Sequence, residues 1–386
     1  MSPGSEGSEV GAARSDGEAA AARSGAPEAR REAAVFERIE GFRRRAPRLG
    51  EDVVTLAHGA GGKSSAALLE AVFLAAFASG GTAAERGDAA VVALASGERL
   101  AFSTDSFVVS PLRFPGGSIG HLAVHGTVND LAMVGARPLV LSAAFVLEEG
   151  FPIAELRAVV ADMAEAAARS GVAIVTGDTK VVGHGAADQV YITTTGIGVL
   201  PAGRRLGAGL VREGDVVLCS GTVGDHGIAV MLARGDLAIE SDIASDTAPL
   251  HELVEVLLAA APATRWMRDA TRGGVATVCN ELARDSALTV VLEEASLPLR
   301  REVAGACELL GIDPLYVANE GKLIAVVPAE QAGRALAALR RHPLGADAAA
   351  IGEIRADPPG LVVLRTALGG TRLVDMLVGD PLPRIC

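Results

Sequence analysis

The sequence predicts a two-domain α/β (α+β) protein with strands and helices mixed along its folded length. Three observations carry this expectation. Short runs rich in Val, Ile and Leu recur between glycine turns, the pattern of strands. Between them lie longer stretches with apolar residues at helical spacing. A Gly- and Arg-rich break, PAGRRLGAGLVREGD, divides the 386 residues near position 205. That leaves two units of similar size, each long enough for its own core.

The elements follow in order. Residues 1–34 hold only Met1 and Val10 as larger apolar side chains. Such a stretch cannot offset its ordering entropy, so residues 1–45 are expected to be a disordered extension. The first domain spans 46–205. VVTLAHGAGGKSS reads as a strand entering a glycine turn, followed by an amphipathic helix from Ser65 to Ala78. RLAFSTDSFVVSP is a strand, IGHLAVHGTVNDLAMVGA a helix and LVLSAAFVLEE a strand. A long helix ends at Gly171, before the strands AIVTGDTKVV and QVYITTTGIGVL. The second domain spans 206–375. DVVLCSGTVGDHGIAVML is strand, glycine turn and helix, 250–262 is a helix, and DATRGGVATVCNELARDS is a turn into another. LTVVLEE, GKLIAVVP and LVVLRT are strands, with a helix over 331–341 packed on them. Pro381 and Pro383 forbid a regular helix or central strand near the end, so 376–386 reads as a mobile tail.

Composition excludes several function classes. The net charge of −12 repels phosphate backbones and anionic lipids, which argues against nucleic acid and membrane surfaces as partners. No apolar run reaches the ~18 residues of a membrane span, and no signal-peptide pattern opens the chain. The four cysteines are scattered, with no CxxC pair, so neither a zinc site nor a disulfide framework is expected. These features together suggest a cytoplasmic protein. Cys219, Cys279 and Cys307 lie in apolar segments and read as buried hydrophobes. Cys386, the last residue of the sequence, does not. An extended 11-residue tail reaches about 35 Å, enough for a thiol carrier arm.

Four sets of residues could carry chemistry. HGAGGK, from His58 to Lys63, is either a phosphate-approaching glycine loop or an ordinary strand-to-helix turn. Asp105, Asp130, Asp178 and Asp269 follow or interrupt apolar strands. Each alone would serve as a turn or helix cap. Together they suit a Mg²⁺–polyphosphate site, because Mg²⁺ takes hard oxygen ligands. Of 35 basic residues only Lys63, Lys180 and Lys322 are lysines. A lysine kept in so arginine-rich a chain suggests a task for a compact or deprotonatable amine. Cys386 completes the set.

HGAGGK, STDSFVVSP, FPGGSIG, GTVNDLAMVGARP, TGDTKVV, ITTTGIG, DATRGG, NEGK and GDPLPRIC together resemble the HypE family of [NiFe]-hydrogenase maturation proteins. That family belongs to the ATP-dependent aminoimidazole ribonucleotide synthetase-like superfamily. The resemblance covers roughly residues 50–386. It implies that a carbamoyltransferase, HypF, loads a carbamoyl group onto Cys386. ATP-dependent carbamoyl dehydratase activity then turns the thiocarboxamide into a thiocyanate. Phosphorylation makes the amide oxygen a leaving group, and loss of the nitrogen protons expels phosphate. A HypC–HypD complex receives the cyanide for the hydrogenase iron. The resemblance further implies a homodimer whose N-terminal domains pair sheet edges.

The same resemblance carries over residue roles. Asp105, Asp130 and Asp269 would hold Mg²⁺ and phosphate. Gly61, Gly62, Lys63, Thr127, Asn129, Gly177, Asp178 and Thr179 would line the ATP site. Lys180 would be the base for the amide nitrogen, partnered by Glu320, with Cys386 as the carrier. His58 and His184 are weaker candidates, and His125 has no assigned role. A selenophosphate synthetase would need Cys or selenocysteine near the glycine loop, which is absent. A thiamine-phosphate kinase has no use for the terminal PRIC. A non-catalytic thiol carrier would not need the acid set.

Overall fold

A computed structural model describes residues 1, 49–77, 87–235, 241–377, 379, 382 and 384–386. The expected disorder of 1–45 falls, Met1 apart, outside the described residues.

Residues 51–386 form one compact unit containing two sheets. The glycine loop leads into α1 (Lys63–Leu68), which continues through a π-helical turn (Leu69–Leu74) to Phe77. The first sheet has five strands: β1 (Ala90–Ala93), β2 (Arg99–Phe107), β5 (Arg137–Glu148), β6 (Ala173–Val182) and β7 (Val190–Leu200). Their order is β1-β2-β7-β5-β6, and all neighbours run antiparallel except β5 and β6. A two-stranded ribbon, β3 (Arg113–Phe114) and β4 (Gly117–Ser118), lies between β2 and α2 (Ile119–Met133). The burial of β7 alternates perfectly along its length, so one face meets the core. Helix α2 and helix α3 (Ile153–Arg169) supply that core with Leu122, Val128, Val159 and Met163.

The second sheet contains β8 (Val216–Cys219), β9 (Trp266–Asp269), β10 (Thr289–Glu293), β11 (Leu323–Val327), β12 (Ala349–Arg355), β13 (Val362–Arg365) and β14 (Thr371–Leu373). Its order is β14-β13-β10-β12-β8-β11-β9. Helices α4 (Asp225–Arg234), α5 (His251–Ala260), α6 (Gly274–Ser286), α7 (Arg301–Leu310) and α8 (Ala329–Leu339) accompany it. Helix α2 is apolar on nearly all sides because it touches both the first sheet and elements of the second, β9 and α5. This sandwiched helix brings residues of both halves together.

Most expected elements are present within a residue or two. The strand expected at VVTLAHG is not. Thr55 precedes a 3₁₀ turn, Leu56–Gly59, and Val53 and Val54 are exposed. Among the described residues no strand pairs an extended backbone there, and the apolar run takes a turn instead. Cys219, Cys279 and Cys307 are buried, as their apolar contexts suggest.

Candidate active site

Strand β9 ends in Asp269, and α2 presents Asp130 one turn before its C-terminus. With Asp88, just before β1, they offer carboxylate oxygens that all lie within 4.8 Å of one another. Ser103 of β2 donates to Asp130 at 2.5 Å. Arg268 holds Asp88 at 2.6 Å and Glu281 at 3.3 Å. Burial pushes Asp88 up to about 6 against the pull of Arg268. Burial and then Asp269 push Asp130 well above the usual carboxylate range, and burial and then Asp88 do the same to Asp269. One buried and two half-buried carboxylates this close repel one another when ionised, and a cation between them would relieve that repulsion. An all-carboxylate oxygen set is what Mg²⁺ takes, so the residues present fit that ion.

Asp105 stands outside this trio. Ser106 N–H donates to it at 2.9 Å, and burial raises it against the pull of Arg272. Its charge still reaches Asp88, Asp130 and Asp269. Glu320 is 4% exposed, and its Oε1 has no hydrogen-bond partner among the described residues. Burial and then Asp269 raise it well above the ordinary range. Arg272 faces Asp105, Glu320 and Cys386. Arg272 and Cys386 line one cavity of about 170 Å³ with Gly59, Ser106, Val108 and Leu377. Burial and then Glu320 push the Cys386 thiol far up, so at rest it stays protonated.

The remaining sequence-predicted residues fall into three groups. Thr127 and Asn129 work inside the protein. The Thr127 hydroxyl meets Thr194 Oγ1 at 2.6 Å, tying α2 to β7. Asn129 donates to the carbonyls of Ala248 and Glu320 and accepts from Leu250 N–H, which fixes the NEGK turn. Lys322 serves the same turn. Its amine pairs with buried Asp246 at 3.2 Å, and Asp246 accepts from the Glu320 and Gly321 amides.

The glycine loop holds the base of the tail. Lys63 N–H donates to the Leu377 carbonyl at 2.9 Å, and its amine pairs with Asp375 at 2.6 Å. Gly61 has φ +75 and packs on Arg272, while a Cβ at Gly62 would lie 2.3 Å from the Leu377 oxygen. Only glycine fits either position.

Gly177, Asp178, Thr179 and Lys180 lie on β6, an edge strand exposed from Ala173 to Val181. Lys180 pairs with Asp178 at 2.6 Å, both side chains more than 60% exposed. That hydrogen bond holds Asp178 below its ordinary value. Register places Lys180 opposite Val146, and Val146 opposite Tyr191, in line with the end of β2. Three strand spacings, about 14 Å, separate β6 from β2. Within one chain Lys180 and Glu320 are therefore not brought together.

His58 bonds Thr55, and His184 pairs with Glu148 in the loop after β6. Burial pushes His125 down to about 3. Asp88, Arg268 and Arg272 were not singled out by sequence reasoning. Asp88 carries the same signal as Asp178, a Gly-Asp step before an apolar run. Arginines in so arginine-rich a chain carry no signal of their own.

Residues 86–200 match the family described as AIR synthase related protein, N-terminal domain, and 212–364 match its C-terminal domain. A carbamoyl dehydratase HypE of Rhodobacter capsulatus is 55% identical over 338 residues, 88% of this chain and 99% of that protein. The solved structure of a HypE–HypF complex superposes with TM-score 0.76 at 47% identity, over 81% of this chain and all of that one. A HypE structure in complex with ATP superposes with TM-score 0.72 at 46% identity, over 86% and 100%. With identity at this level across nearly the whole of its relatives, the chain belongs to the carbamoyl dehydratase HypE family, on the AIR synthase-related fold.

Proposed function

We propose that this chain is an ATP-dependent carbamoyl dehydratase of hydrogenase maturation that works on its own Cys386. In this reading the carbamoyltransferase HypF loads Cys386, and a HypC–HypD complex receives the cyanide. The protein acts in the cytoplasm as a homodimer, with domains at 46–205 and 206–375 and a carrier tail at 376–386. The observation that carries the reading is the position of Cys386: it ends in the cavity that Arg272 lines, with Glu320 and the acid cluster within electrostatic range.

Asp88, Asp130 and Asp269 would hold Mg²⁺, with Asp105 beside them. When bound, Mg²⁺ with ATP supplies the phosphoryl group that turns the amide oxygen into a leaving group. Arg272 faces the thiol and is placed to bind that oxygen or the phosphate. Glu320, whose Oε1 has no partner among the described residues, lies beside Cys386 and can take a nitrogen proton once its neighbours' charges are balanced. Lys180 remains our proposed base. Because β6 is an exposed edge, it would reach the tail of the second copy rather than its own.

Mass spectrometry of the C-terminal peptide tests this reading. After incubation with HypF, carbamoyl donor and ATP, the peptide should gain a carbamoyl group and then lose one water. Cys386→Ala should abolish both changes; a product on another residue would refute the assignment.

A further inference from the structure

The described end of the chain is held through its carbonyls against the segment that follows β2. Val108 N–H donates to the Cys386 carbonyl at 3.1 Å, and Ser110 N–H donates to the Arg384 carbonyl at 3.3 Å. Arg384 Nε returns a bond to the Val108 carbonyl at 3.2 Å, and its guanidinium pairs with Asp188. The Ile385 carbonyl meets His226 Nε2 at 2.7 Å. Arg234, at the far end of α4, donates to the Ser110 carbonyl at 2.6 Å and to the Arg384 carbonyl. Leu382 and Ile385 are 6% and 4% exposed and belong to the core shared by α2 and α4.

His226 is completely buried. A carbonyl can only accept, so Nε2 carries the hydrogen. In a neutral ring Nδ1 then accepts from Ser245 Oγ at 2.8 Å. Burial favours that neutral form. Phe114 meets the ring edge-on with centroids 5.4 Å apart. The ring is thus locked from three sides with its donor aimed at the tail.

We propose that His226 and Arg234 form a two-point clamp on the tail carbonyls that fixes its register and delivers the Cys386 thiol to the reaction site. Register is the quantity at stake. A slip of one residue would hand the clamp the wrong carbonyls and carry the thiol away from Arg272. Neither residue touches the reacting group, so both are positioning residues. The clamp must also release, because a partner that loads Cys386 needs the tail outside. This inference rests on Cys386 being the carrier.

The test uses full-length protein and two readouts. The other three cysteines are buried, so a chromogenic disulfide reagent reports Cys386 selectively. His226→Leu should raise the rate of thiol modification by about tenfold or more, the effect of losing one well-formed constraint. His226→Gln, which keeps a donor, should restore most of the protection. Single-turnover dehydration of carbamoyl-Cys386 should fall about tenfold in His226→Leu, with nucleotide affinity unchanged. Arg234→Ala, at a half-exposed site, gives the same pair of changes if His226→Leu does not fold. Unchanged thiol reactivity in folded variants overturns the clamp while leaving the carrier reading intact. Continued dehydration in Cys386→Ser would overturn the carrier reading itself.

Discussion

Asp269 and Asp178 sit on strands in similar sequence contexts, RDATRGG and TGDTKVV, yet the two regions treat them in opposite ways. Burial and neighbouring acids push Asp269 up. Lys180 and the Thr179 amide, out in solvent, hold Asp178 down. The first region is an incomplete electrostatic arrangement. Among the described residues, Asp88, Asp105, Asp130, Asp269 and Glu320 face Arg268 and Arg272. The second is electrostatically satisfied but, among the described residues, is an edge of its sheet. In the proposed reading the first region takes a cation and the second a strand of another copy, a contrast that a list of motifs does not reveal.

The strongest way to sharpen that contrast is Asp269→Asn. It removes one of the converging carboxylates, and ATP-dependent dehydration should fall about 10²–10³-fold, the usual scale for losing one preorganised electrostatic contact. The same change relieves repulsion in metal-free protein, so thermal unfolding in chelator should shift upward by a few degrees. Stabilisation by added Mg²⁺, expected in the parent, should shrink. Asp178→Asn should do neither, because its charge is already balanced in solvent. A fall in metal-free stability for Asp269→Asn would show that the acids are held by something other than a missing cation.

The second test concerns the edge. Lys180→Ala and Cys386→Ala chains are each expected to be inactive. If the chain is the proposed homodimer, mixing and re-equilibrating them gives hybrids in which the intact thiol of one chain meets the intact lysine of the other. In a two-fold dimer about a quarter of the parental activity should return if Lys180 acts across the interface. No recovery, with hybrids confirmed by mass, would place Lys180 on its own tail or outside the reaction.

How far the sequence announced these regions differs residue by residue. Asp130 and Asp269 were legible because a carboxylate beside an apolar run must be explained by a ligand or a cap. Asp88 had the same signal and was masked by a short strand that had no clear pattern. The glycine loop was legible as a close approach of backbone, but what approaches is the base of the tail as well as any phosphate. The clamp was not legible at all. His226 looks like any core histidine, and its meaning lies in the partner 159 residues away. Lys322 was noticed for its rarity, yet its work is to neutralise Asp246 under the Glu320 turn. Rarity of a residue type shows that it matters, not where it acts.

His125 sharpens the comparison from the side of stability, with the smallest expected effect. It lies on α2, like Asp130, and is buried, but an imidazole is a poor ligand for a hard cation such as Mg²⁺. Its Nδ1 meets Thr247 Oγ1 at 3.2 Å, and its Nε2 has no partner among the described residues. Burial first, then His121, pushes it to about 3 from an unfolded value near 6.5. The unfolded chain therefore takes a proton that the folded one refuses. Its contribution is fully present above pH 6.5 and is lost as pH falls toward 3, at up to about 1.4 kcal/mol per pH unit. His125→Gln should flatten the slope of unfolding free energy between about pH 6 and pH 5 by up to that amount, read by urea titration at each pH. Mg²⁺ should leave this slope difference untouched, since it compensates the acids and not the imidazole. An identical slope in parent and variant would mean that His125 gains its proton inside the folded protein, and that burial on α2 is less complete than at the acid cluster.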